Sequence, residues 1–363
     1  MSATHHKTAL GLDDVIAAET ILSMVDGTAG QLVIRGHRLE DIADRSFEWL
    51  LSELWRDVVP GIWRESVVQR DLGDARVRAF ALIAPLLSEA ACMPTMSALR
   101  LFAARVPDDE MNPELHLVGM IAVGLGAAVR VNAGAAPVAP DATLPHAADL
   151  LRMITGHAPS EVHYKALETY LVSAMDHGLN ASTFTARVVA STRAPLPAAV
   201  AAALCAFTGP LHGGAPGPVL DMLDAIGSPG NAERWLDAAV ARGDRLMGFG
   251  HRVYRVRDPR LEVVKPVVKR LGPGTGRLAY AEVVEKAALT VLARRKPTRP
   301  LQTNLEFYAA LLLEALAIPR DAFTGVFAAA RVVGWIAHAH EQMQNGRIIR
   351  PQSTYIGPNP AIH

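Results

Sequence analysis

Cysteine is almost absent from this chain of 363 residues, and its scarcity excludes several kinds of protein. Only Cys92 and Cys205 occur, far apart and both in apolar surroundings. Disulfide-built secreted domains and cysteine metal sites need more cysteines at closer spacing. The sequence therefore predicts two buried, reduced thiols and a reducing compartment.

An excess of either charge is also missing. Lysine plus arginine and aspartate plus glutamate number 36 each, which excludes a strongly basic surface for nucleic acid or anionic lipid. The N-terminal residues lack the apolar segment of a signal peptide. Apolar stretches such as 120–128 and 197–207 are too short to cross a bilayer. We expect a soluble, cytoplasmic protein that binds neither nucleic acid nor a membrane.

Strand patterns are scarce, and helical periodicity dominates. Residues 20–25 and 31–36, joined by the turn-forming segment 26–30, predict one β-hairpin. Ser46 is the predicted N-cap of a following helix. Half of the residues are apolar, enough for a large core and two lobes. The sequence predicts an all-α protein with a small N-terminal hairpin and further helices at 75–90, 95–105, 113–130, 147–155, 160–177, 182–191, 197–207, 219–226, from about 231, and at 259–271, 280–294, 306–316 and 322–345.

One histidine stands in an unusual local sequence. His212 lies within 209–218, a segment with four glycines and three prolines between two apolar helices. Glycine lets a substrate approach the backbone closely, and a helix N-terminus supplies unpaired N–H groups and partial positive charge. That field lowers the pKa of an imidazole and leaves a neutral hydrogen-bond donor. The alternative is a helix–turn–helix corner with a surface histidine.

Two more stretches combine polar side chains with backbone-shaping residues. His251 lies in a glycine-rich passage, 247–254, and an Asp-Pro-Arg triplet ending at Arg260 follows closely. Glu306 is a single carboxylate in an apolar neighbourhood. Such surroundings raise the pKa of a carboxyl group and make Glu306 a candidate base.

A fourth stretch, 176–183, is a polar interruption between two apolar helices and contains His177. Each candidate has a structural alternative. Glu306 could be an ordinary first-turn carboxylate, His177 a C-cap partner, and Arg260 a surface charge.

A metal site is not indicated, because His338 and His340 are two apart on a predicted helix and point to different sides.

The four stretches, in this order, resemble the citrate synthase family. Residues 209–215 (Gly-Pro-Leu-His-Gly-Gly-Ala) and 248–254 (Gly-Phe-Gly-His-Arg-Val-Tyr), continued by Asp-Pro-Arg at 258–260, match its two histidine signatures almost residue for residue. The similarity extends over most of the chain, from 18–20 to 355–357. It is weakest between about 58 and 90.

The resemblance implies condensation of the methyl carbon of an acyl-CoA thioester with the ketone of oxaloacetate, followed by thioester hydrolysis. Such a reaction needs a base at the methyl group and hydrogen-bond donors at the enolate and ketone oxygens. By resemblance, His212 is the neutral donor to the thioester oxygen, and His251 polarises and protonates the oxaloacetate carbonyl. Glu306 stands where the family has its aspartate base.

At this base the sequence departs from the family pattern. The additional methylene of Glu306 moves the carboxylate by about one C–C bond, and misplacement of about 1 Å can cost roughly a hundredfold in rate. The residues for every other role are present, and the neighbouring Asn304 and Tyr308 also match. We therefore expect catalysis to be retained.

The resemblance also assigns binding residues. His177, Arg260 and Arg331 would hold the dicarboxylate, since arginine forks match carboxylate geometry. The mostly apolar neighbours of Arg331, 332–336, favour a buried and paired side chain. Arg350, in an extended C-terminal tail, matches the arginine that the family supplies across a dimer interface.

Supporting residues follow from the same resemblance. The family holds the coenzyme A adenine against the loop that corresponds to 247–250, and Lys296 and Arg299 are candidates for phosphate contacts. No metal or redox cofactor is implied, because the coenzyme A thioester is a substrate. The residues expected to support the site or to shape this loop are Ser182, Gly248, Gly250 and Asn304.

By resemblance the fold has a large helical domain, residues 1–212 and 313–363, and a small helical domain, residues 213–312, which closes over the substrates. A homodimer is the expected assembly. Three functions stay open: a citrate synthase using acetyl-CoA, a 2-methylcitrate synthase using propionyl-CoA, and a non-catalytic paralogue with Glu306 as its lesion. The first two substrates differ by one methylene, which a pocket discriminates by only about 1–3 kcal/mol.

Overall fold

The computed structural model describes residues 10–12, 15–213, 216–271, 277–298 and 301–358. These residues form a mostly helical protein with one small sheet, so the predicted all-α class with an N-terminal hairpin is confirmed. Strands β1 (Ser23–Asp26), β2 (Gln31–Ile34) and β3 (His37–Arg38) pair antiparallel in sequence order. In the β1–β2 turn, Asp26 Oδ1 accepts the backbone N–H groups of Thr28 and Ala29. The sequence did not predict β3, because a two-residue strand shows no alternation of apolar and polar residues.

The α-helices are connected mostly by short loops, and the described residues also form four single-turn 3₁₀ helices, at Leu10–Leu12, Ala84–Leu86, Pro229–Asn231 and Arg320–Ala322. The α-helices of the described residues are α1 (Leu39–Ile42), α2 (Phe47–Trp55), α3 (Glu65–Ile83), α4 (Leu87–Ala90), α5 (Thr95–Ala103), α6 (Pro113–Asn132), α7 (His146–Thr155), α8 (Glu161–Ala174), α9 (Ala181–Ser191), α10 (Leu196–Phe207), α11 (Pro216–Ile226), α12 (Ala232–Ala241), α13 (Pro259–Arg270), α14 (Leu278–Arg295), α15 (Leu305–Ala315) and α16 (Phe323–Asn345).

Helices α6 and α16 form the centre of the core. Helix α6 packs against α3, α5, α7 and α16, and α16 also contacts α8, α9 and α10. Both are long and apolar enough to cross a membrane, yet 89% and 94% of their most apolar windows are buried inside the protein. The expectation that the apolar segments are too short to cross a bilayer was therefore wrong for α6. The apolar stretch 120–128 is only part of this helix, which extends from Pro113 to Asn132.

Two other expectations are corrected. The single helix predicted at 75–90 is a longer α3, a 3₁₀ turn and the short α4, because Pro85 lacks the N–H that a continuous helix needs. Cys92 and Cys205 are both exposed rather than buried. Cys205 lies on the solvent side of α10, a helix so rich in alanine and leucine that its sequence does not distinguish its two faces. Ser46, by contrast, caps α2 as predicted by accepting the N–H of Trp49.

A buried ion pair ties α3 to α7. Arg76 donates from Nε to Asp149 Oδ2 at 2.7 Å, and both side chains are fully buried. The guanidinium also donates to the carbonyl oxygens of Asp141 and Leu144, so that it holds the 141–144 loop against α3. Arg152 contacts the other oxygen of Asp149 at 2.7 Å.

Replacing Arg76 by methionine should destabilise the protein by about 3 kcal/mol, because removing one partner leaves a buried carboxylate incompletely paired. We place the effect at the low end of the usual range because Arg152 still contacts Asp149. Urea unfolding followed by circular dichroism measures the change. Arg70→Met is the matched control, since Arg70 pairs with Asp71 on the surface and should leave the midpoint nearly unchanged. Equal midpoints for both variants would contradict this assignment.

Candidate active site

His212 lies in the loop after α10, and its ring proton is placed by the N-terminus of α9. Nε2 of His212 accepts the backbone N–H of Ser182 at 3.2 Å and lies 2.8 Å from Ser182 Oγ. Because a backbone N–H can only donate, the neutral ring carries its proton on Nδ1. Burial, together with the charge of Arg331, lowers the pKa of His212 to about 4. The predicted neutral imidazole at a helix N-terminus is thus present, but the helix in contact is α9 and not α11.

The second imidazole is held by its own loop. Nδ1 of His251 accepts the backbone N–H groups of Val253 and Tyr254 at 3.0 and 3.1 Å. Nε2 lies 3.3 Å from Nη2 of Arg260, so N–H donors face both nitrogens of this neutral ring. Burial and the Arg260 charge lower the pKa of His251 to about 4.

Arg260 is not a surface charge. It begins α13, where Asp258 is the N-cap and accepts the Arg260 backbone N–H at 3.1 Å. The guanidinium also donates to Asp258, from Nε at 2.9 Å and from Nη2 at 2.7 Å, and both side chains are buried. Although burial raises the pKa of Asp258, the adjacent Arg260 charge holds it below its usual value.

Arg331 projects from the middle of α16 and is 1% exposed. Its Nε donates to the carbonyl oxygen of Ala174 at 2.7 Å, and its guanidinium lies 5.0 Å from the Phe327 ring centroid. Nη2 is buried and has no hydrogen-bond partner among the described residues. Burial lowers the pKa of Arg331 to about 10, although the negative charge of Asp176 opposes this. The side chain is thus buried as predicted, but no carboxylate of the described residues pairs with it.

His177 lies between α8 and α9, close to His251. Its Nε2 is 3.0 Å from the hydroxyl of Tyr254, and its ring centroid is 5.5 Å from that of His251. Burial lowers the pKa of His177 well below 6.5, and the nearby arginines add to this effect. It does not cap α8, because the C-terminal turn of that helix is closed by the backbone N–H of Met175.

Glu306 lies in the first turn of α15 with one free carboxylate oxygen. Asn304 is the N-cap of this helix and accepts the Glu306 backbone N–H at 3.1 Å. Glu306 Oε2 is buried without a hydrogen-bond partner among the described residues. Burial raises the pKa of Glu306, although the Arg260 charge partly offsets it. The raised pKa expected for a candidate base is therefore present.

The loop before His251 pairs with the segment before Glu306. Gly248 accepts the Asn304 N–H at 2.9 Å, and Gly250 donates to the Gln302 carbonyl at 2.7 Å. The Asn304 side chain donates to the Gly250 carbonyl at 2.7 Å. Both glycines have φ of +82°, in the left-handed region that favours glycine, and a Cβ at Gly248 would lie 2.8 Å from Phe307 Cβ. These contacts join the second histidine loop to the helix that carries the candidate base.

A cleft of about 270 Å³ opens beside His251. Arg255 lies on its rim and forms no ion pair within the described part of the chain. Lys296 is exposed just after α14, outside this lining, and Arg299 lies outside the described residues. Among the lining residues are His251, Arg255, Asp258, Leu301, Gln302 and Asn304.

The structure brings together most of the residues selected from sequence, and Arg350 and Lys296 are exceptions within the described part of the chain. Arg350 is exposed in the C-terminal tail, and among the described residues it contacts no member of the site. His338 and His340 contact Asp176 and Glu114 respectively, at 3.2 and 2.9 Å, so they point to different partners as their spacing predicted.

Four supporting residues received no role from sequence reasoning, namely Tyr170, Asn180, Tyr254 and Asp258. Asp258 and Tyr254 lie within the His251 signature, so the motif itself was the available signal. Asn180 caps α9 and positions Ser182, a pattern readable from the Asn-Ala-Ser-Thr sequence. No local pattern distinguishes Tyr170 from a core tyrosine. Burial and the nearby Glu306 charge raise its pKa.

Comparison with known proteins identifies the family of this chain. Residues 11–352 match the family model described as citrate synthase, C-terminal domain. A citrate synthase of Haloferax volcanii is 38% identical over 96% of this chain and 95% of the relative. A putative citrate synthase 2 of Mycobacterium tuberculosis is 35% identical over 96% of this chain and 93% of the relative.

Solved structures give the same result. The citrate synthase of Thermotoga maritima superposes with a TM-score of 0.85 at 30% identity, covering 97% of each chain. That of Thermoplasma acidophilum, a ternary complex with carboxymethyl coenzyme A and oxaloacetate, has the same fold with a TM-score of 0.86 at 24% identity and 98% coverage of each chain. The family model and the relatives above 30% identity cover nearly the whole chain, and this chain belongs to the citrate synthase family of acyl-transferring enzymes.

Proposed function

We propose that this protein condenses acetyl-CoA with oxaloacetate and hydrolyses the resulting citryl thioester to citrate and coenzyme A. The observation that carries the proposal is the unpartnered carboxylate oxygen of Glu306, which lies in the same site as two imidazoles that burial keeps neutral. A base and two neutral donors are what enolisation and ketone attack require.

In the proposed mechanism each group acts at one atom. Glu306 removes a proton from the methyl carbon of the thioester, while the Nδ1–H of His212 donates to the thioester oxygen as it gains enolate charge. The carbon then attacks the ketone of oxaloacetate, and the Nε2–H of His251 protonates the new alkoxide. Water finally hydrolyses the thioester, and no step calls on a metal or a redox cofactor.

The cationic groups support binding of a dicarboxylate. Nη2 of Arg260 lies 3.3 Å from Nε2 of His251, and an acceptor oxygen placed beside them receives a hydrogen bond from each when the ring carries its proton on Nε2. Nη2 of Arg331 is a third donor, buried and without a partner among the described residues. We propose that His177, Arg260 and Arg331 hold the carboxylates of oxaloacetate.

The cleft beside His251 supports a coenzyme A site. It reaches Asn304, next to Glu306, and Arg255 on its rim offers a cation to the phosphates. The related Thermoplasma acidophilum protein was solved with a coenzyme A derivative and oxaloacetate, a pair of ligands consistent with this arrangement. We propose that residues 213–312 form the smaller domain and bring this cleft onto the oxaloacetate site.

Release of coenzyme A from acetyl-CoA plus oxaloacetate, followed with a thiol reagent, tests the function directly. We expect turnover that depends on both substrates, with kcat/KM for acetyl-CoA above that for propionyl-CoA. A reversed ratio would favour the 2-methylcitrate alternative. Oxaloacetate binding without turnover would favour the non-catalytic paralogue and overturn the proposal.

Two variants of the base sharpen the test. Glu306→Gln should lower kcat by at least about a hundredfold, because the amide cannot accept the methyl proton. Glu306→Asp should also lower it, since retracting the carboxylate by about 1 Å misplaces the base. A large gain with aspartate would instead mean that the surroundings are still built for the shorter side chain.

The pH dependence of kcat/KM follows from the pKa shifts. His212 and His251, with pKa values of about 4, stay neutral through mildly acidic pH, whereas the pKa of Glu306 is raised above 4.5. Lowering the pH therefore protonates Glu306 first, and the acid limb should lie above pH 4.5 and report this carboxylate. If the acid limb is unchanged in the Glu306→Asp variant although kcat is lower, the limb reports a group other than Glu306.

The same histidines make the free energy of unfolding depend on pH, so the rate measurements need a control for loss of folded protein. Their pKa is depressed in the folded state, so the unfolded chain binds protons first as the pH falls below about 6.5. The free energy of unfolding should therefore decrease between pH 6.5 and 4. Rates are compared only where circular dichroism shows the folded protein.

We further propose a cytoplasmic homodimer in which Arg350 completes the neighbouring site. The segment that carries Arg350 is anchored to α9 by the Ile349 N–H, which donates to Ser191 Oγ at 3.0 Å. The exposed guanidinium is left without a partner among the described residues of its own chain, as required of a group that serves another copy.

Mixing two inactive variants tests the shared site. Arg350→Ala and Glu306→Gln should each be nearly inactive alone. In a mixed dimer, however, one site contains an intact Glu306 and receives an intact Arg350 from the partner. After unfolding and refolding an equal mixture, activity should recover to about a quarter of the wild-type value, because half of the dimers are mixed and each has one complete site. No recovery, with mixed dimers shown by mass spectrometry, would contradict the proposal.

A further inference from the structure

The N-terminal hairpin is hydrogen-bonded to the His177 loop through the hydroxyl group of Ser23. Ser23 Oγ, on β1, donates to Asp176 Oδ2 and accepts the backbone N–H of Gly178 at 3.0 Å. One side chain of the hairpin therefore holds the residues on both sides of His177. None of the roles proposed above uses this contact.

The other end of the same hairpin contacts the His251 loop. The carbonyl of Gly27, in the β1–β2 turn, accepts the Arg255 N–H at 2.9 Å. The two segments are packed so closely that a Cβ at Gly27 would overlap the Val253 carbonyl oxygen, and one at Gly30 would lie 2.9 Å from the Arg257 carbonyl oxygen. The turn thus packs on the segment that joins His251 to Arg260.

The attachment point on the His177 side is rigid. Asp176 is fully buried, and its Oδ1 lies 3.2 Å from Nε2 of His338. Arg187 approaches the other nitrogen of His338 at 3.0 Å, and because arginine can only donate, the His338 proton is on Nε2. The contact with Asp176 is electrostatic, since neither atom has a hydrogen-bond partner among the described residues. Helix α16 comes close at Gly334, where a Cβ would lie 2.7 Å from Asp176 Oδ1.

We propose that Ser23 is a positioning residue of the active site, and that the β1–β2 hairpin sets the distance between His177 and His251. The two rings belong to loops far apart in sequence, yet their centroids are only 5.5 Å apart. The hairpin contacts both loops within a few residues of each ring. This inference rests on the proposed function, because its consequence is a well-placed pair of imidazoles for oxaloacetate.

Ser23→Ala tests the His177 side. We expect KM for oxaloacetate to rise about tenfold, equivalent to about 1.4 kcal/mol, because loss of a hydrogen bond to a buried charge frees the loop. KM for acetyl-CoA should change less than twofold. Ser23→Thr, which keeps the hydroxyl, should restore most of the affinity. Met24→Ala, on the exposed neighbour of Ser23 in β1, is the control and should leave both constants unchanged.

Gly27→Ala tests the His251 side, because its methyl group displaces the 253–257 segment. We expect kcat to fall about tenfold, in contrast to the KM effect of Ser23→Ala, since small misplacements of catalytic groups are costly. Thermal unfolding of every variant shows whether a change is merely a loss of stability. A Ser23→Ala protein with wild-type KM for oxaloacetate would overturn the proposal.

Hydrogen exchange followed by mass spectrometry provides a readout that does not depend on turnover. Ser23→Ala should accelerate exchange in peptides covering 176–180 and not 253–257, and Gly27→Ala should do the reverse. Unchanged exchange in both segments would overturn the positioning role. If the wild type shows no condensation activity, the proposed function fails, while the exchange pattern still decides whether the hairpin holds the two loops.

Discussion

Asp258 makes the interactions on which the geometry of the site depends. Its carboxylate caps α13, forms a two-point ion pair with Arg260, and accepts the backbone N–H of Leu305 at 3.1 Å at the start of α15. One buried charge thereby fixes Arg260, the arginine proposed to bind oxaloacetate, next to the helix that carries the candidate base. Its full burial is possible because every donor around it is a charged or backbone N–H group, which offsets the cost of desolvation.

Around this ion pair the site combines cationic side chains with histidines that stay neutral. Burial and the neighbouring arginines disfavour the doubly protonated, cationic form of His177, His212 and His251, and the backbone N–H that donates to Nε2 of His212 places the proton of that ring on Nδ1. The result is a set of donors aimed by backbone geometry. Such donors need little reorganisation as negative charge develops, which is the usual basis of electrostatic catalysis.

Much of this could be predicted from sequence, for identifiable reasons. His212 and His251 stand in glycine-rich loops, where the local residues themselves restrict the backbone, and Arg331 stands among apolar neighbours that only a buried helix explains. Ser23 could not be found, because its partners Asp176 and Gly178 are distant in sequence and a serine in a strand is ordinary. The exposed face of α10 was missed because the residues on it, alanines and Cys205, are as apolar as those on the buried face.

The two central helices also have a consequence for how the chain is made. Helix α6 ends at residue 132, whereas α16, which covers one of its faces, begins only at residue 323. During synthesis, the part of the apolar surface of α6 that α16 covers therefore stays uncovered until α16 has been made, about 190 residues later. During that interval this face of α6 is prone to aggregation, whereas the faces that pack on α3 and α5 can be covered as soon as α6 is made. The apolar pair that stabilises the finished core makes the growing chain vulnerable.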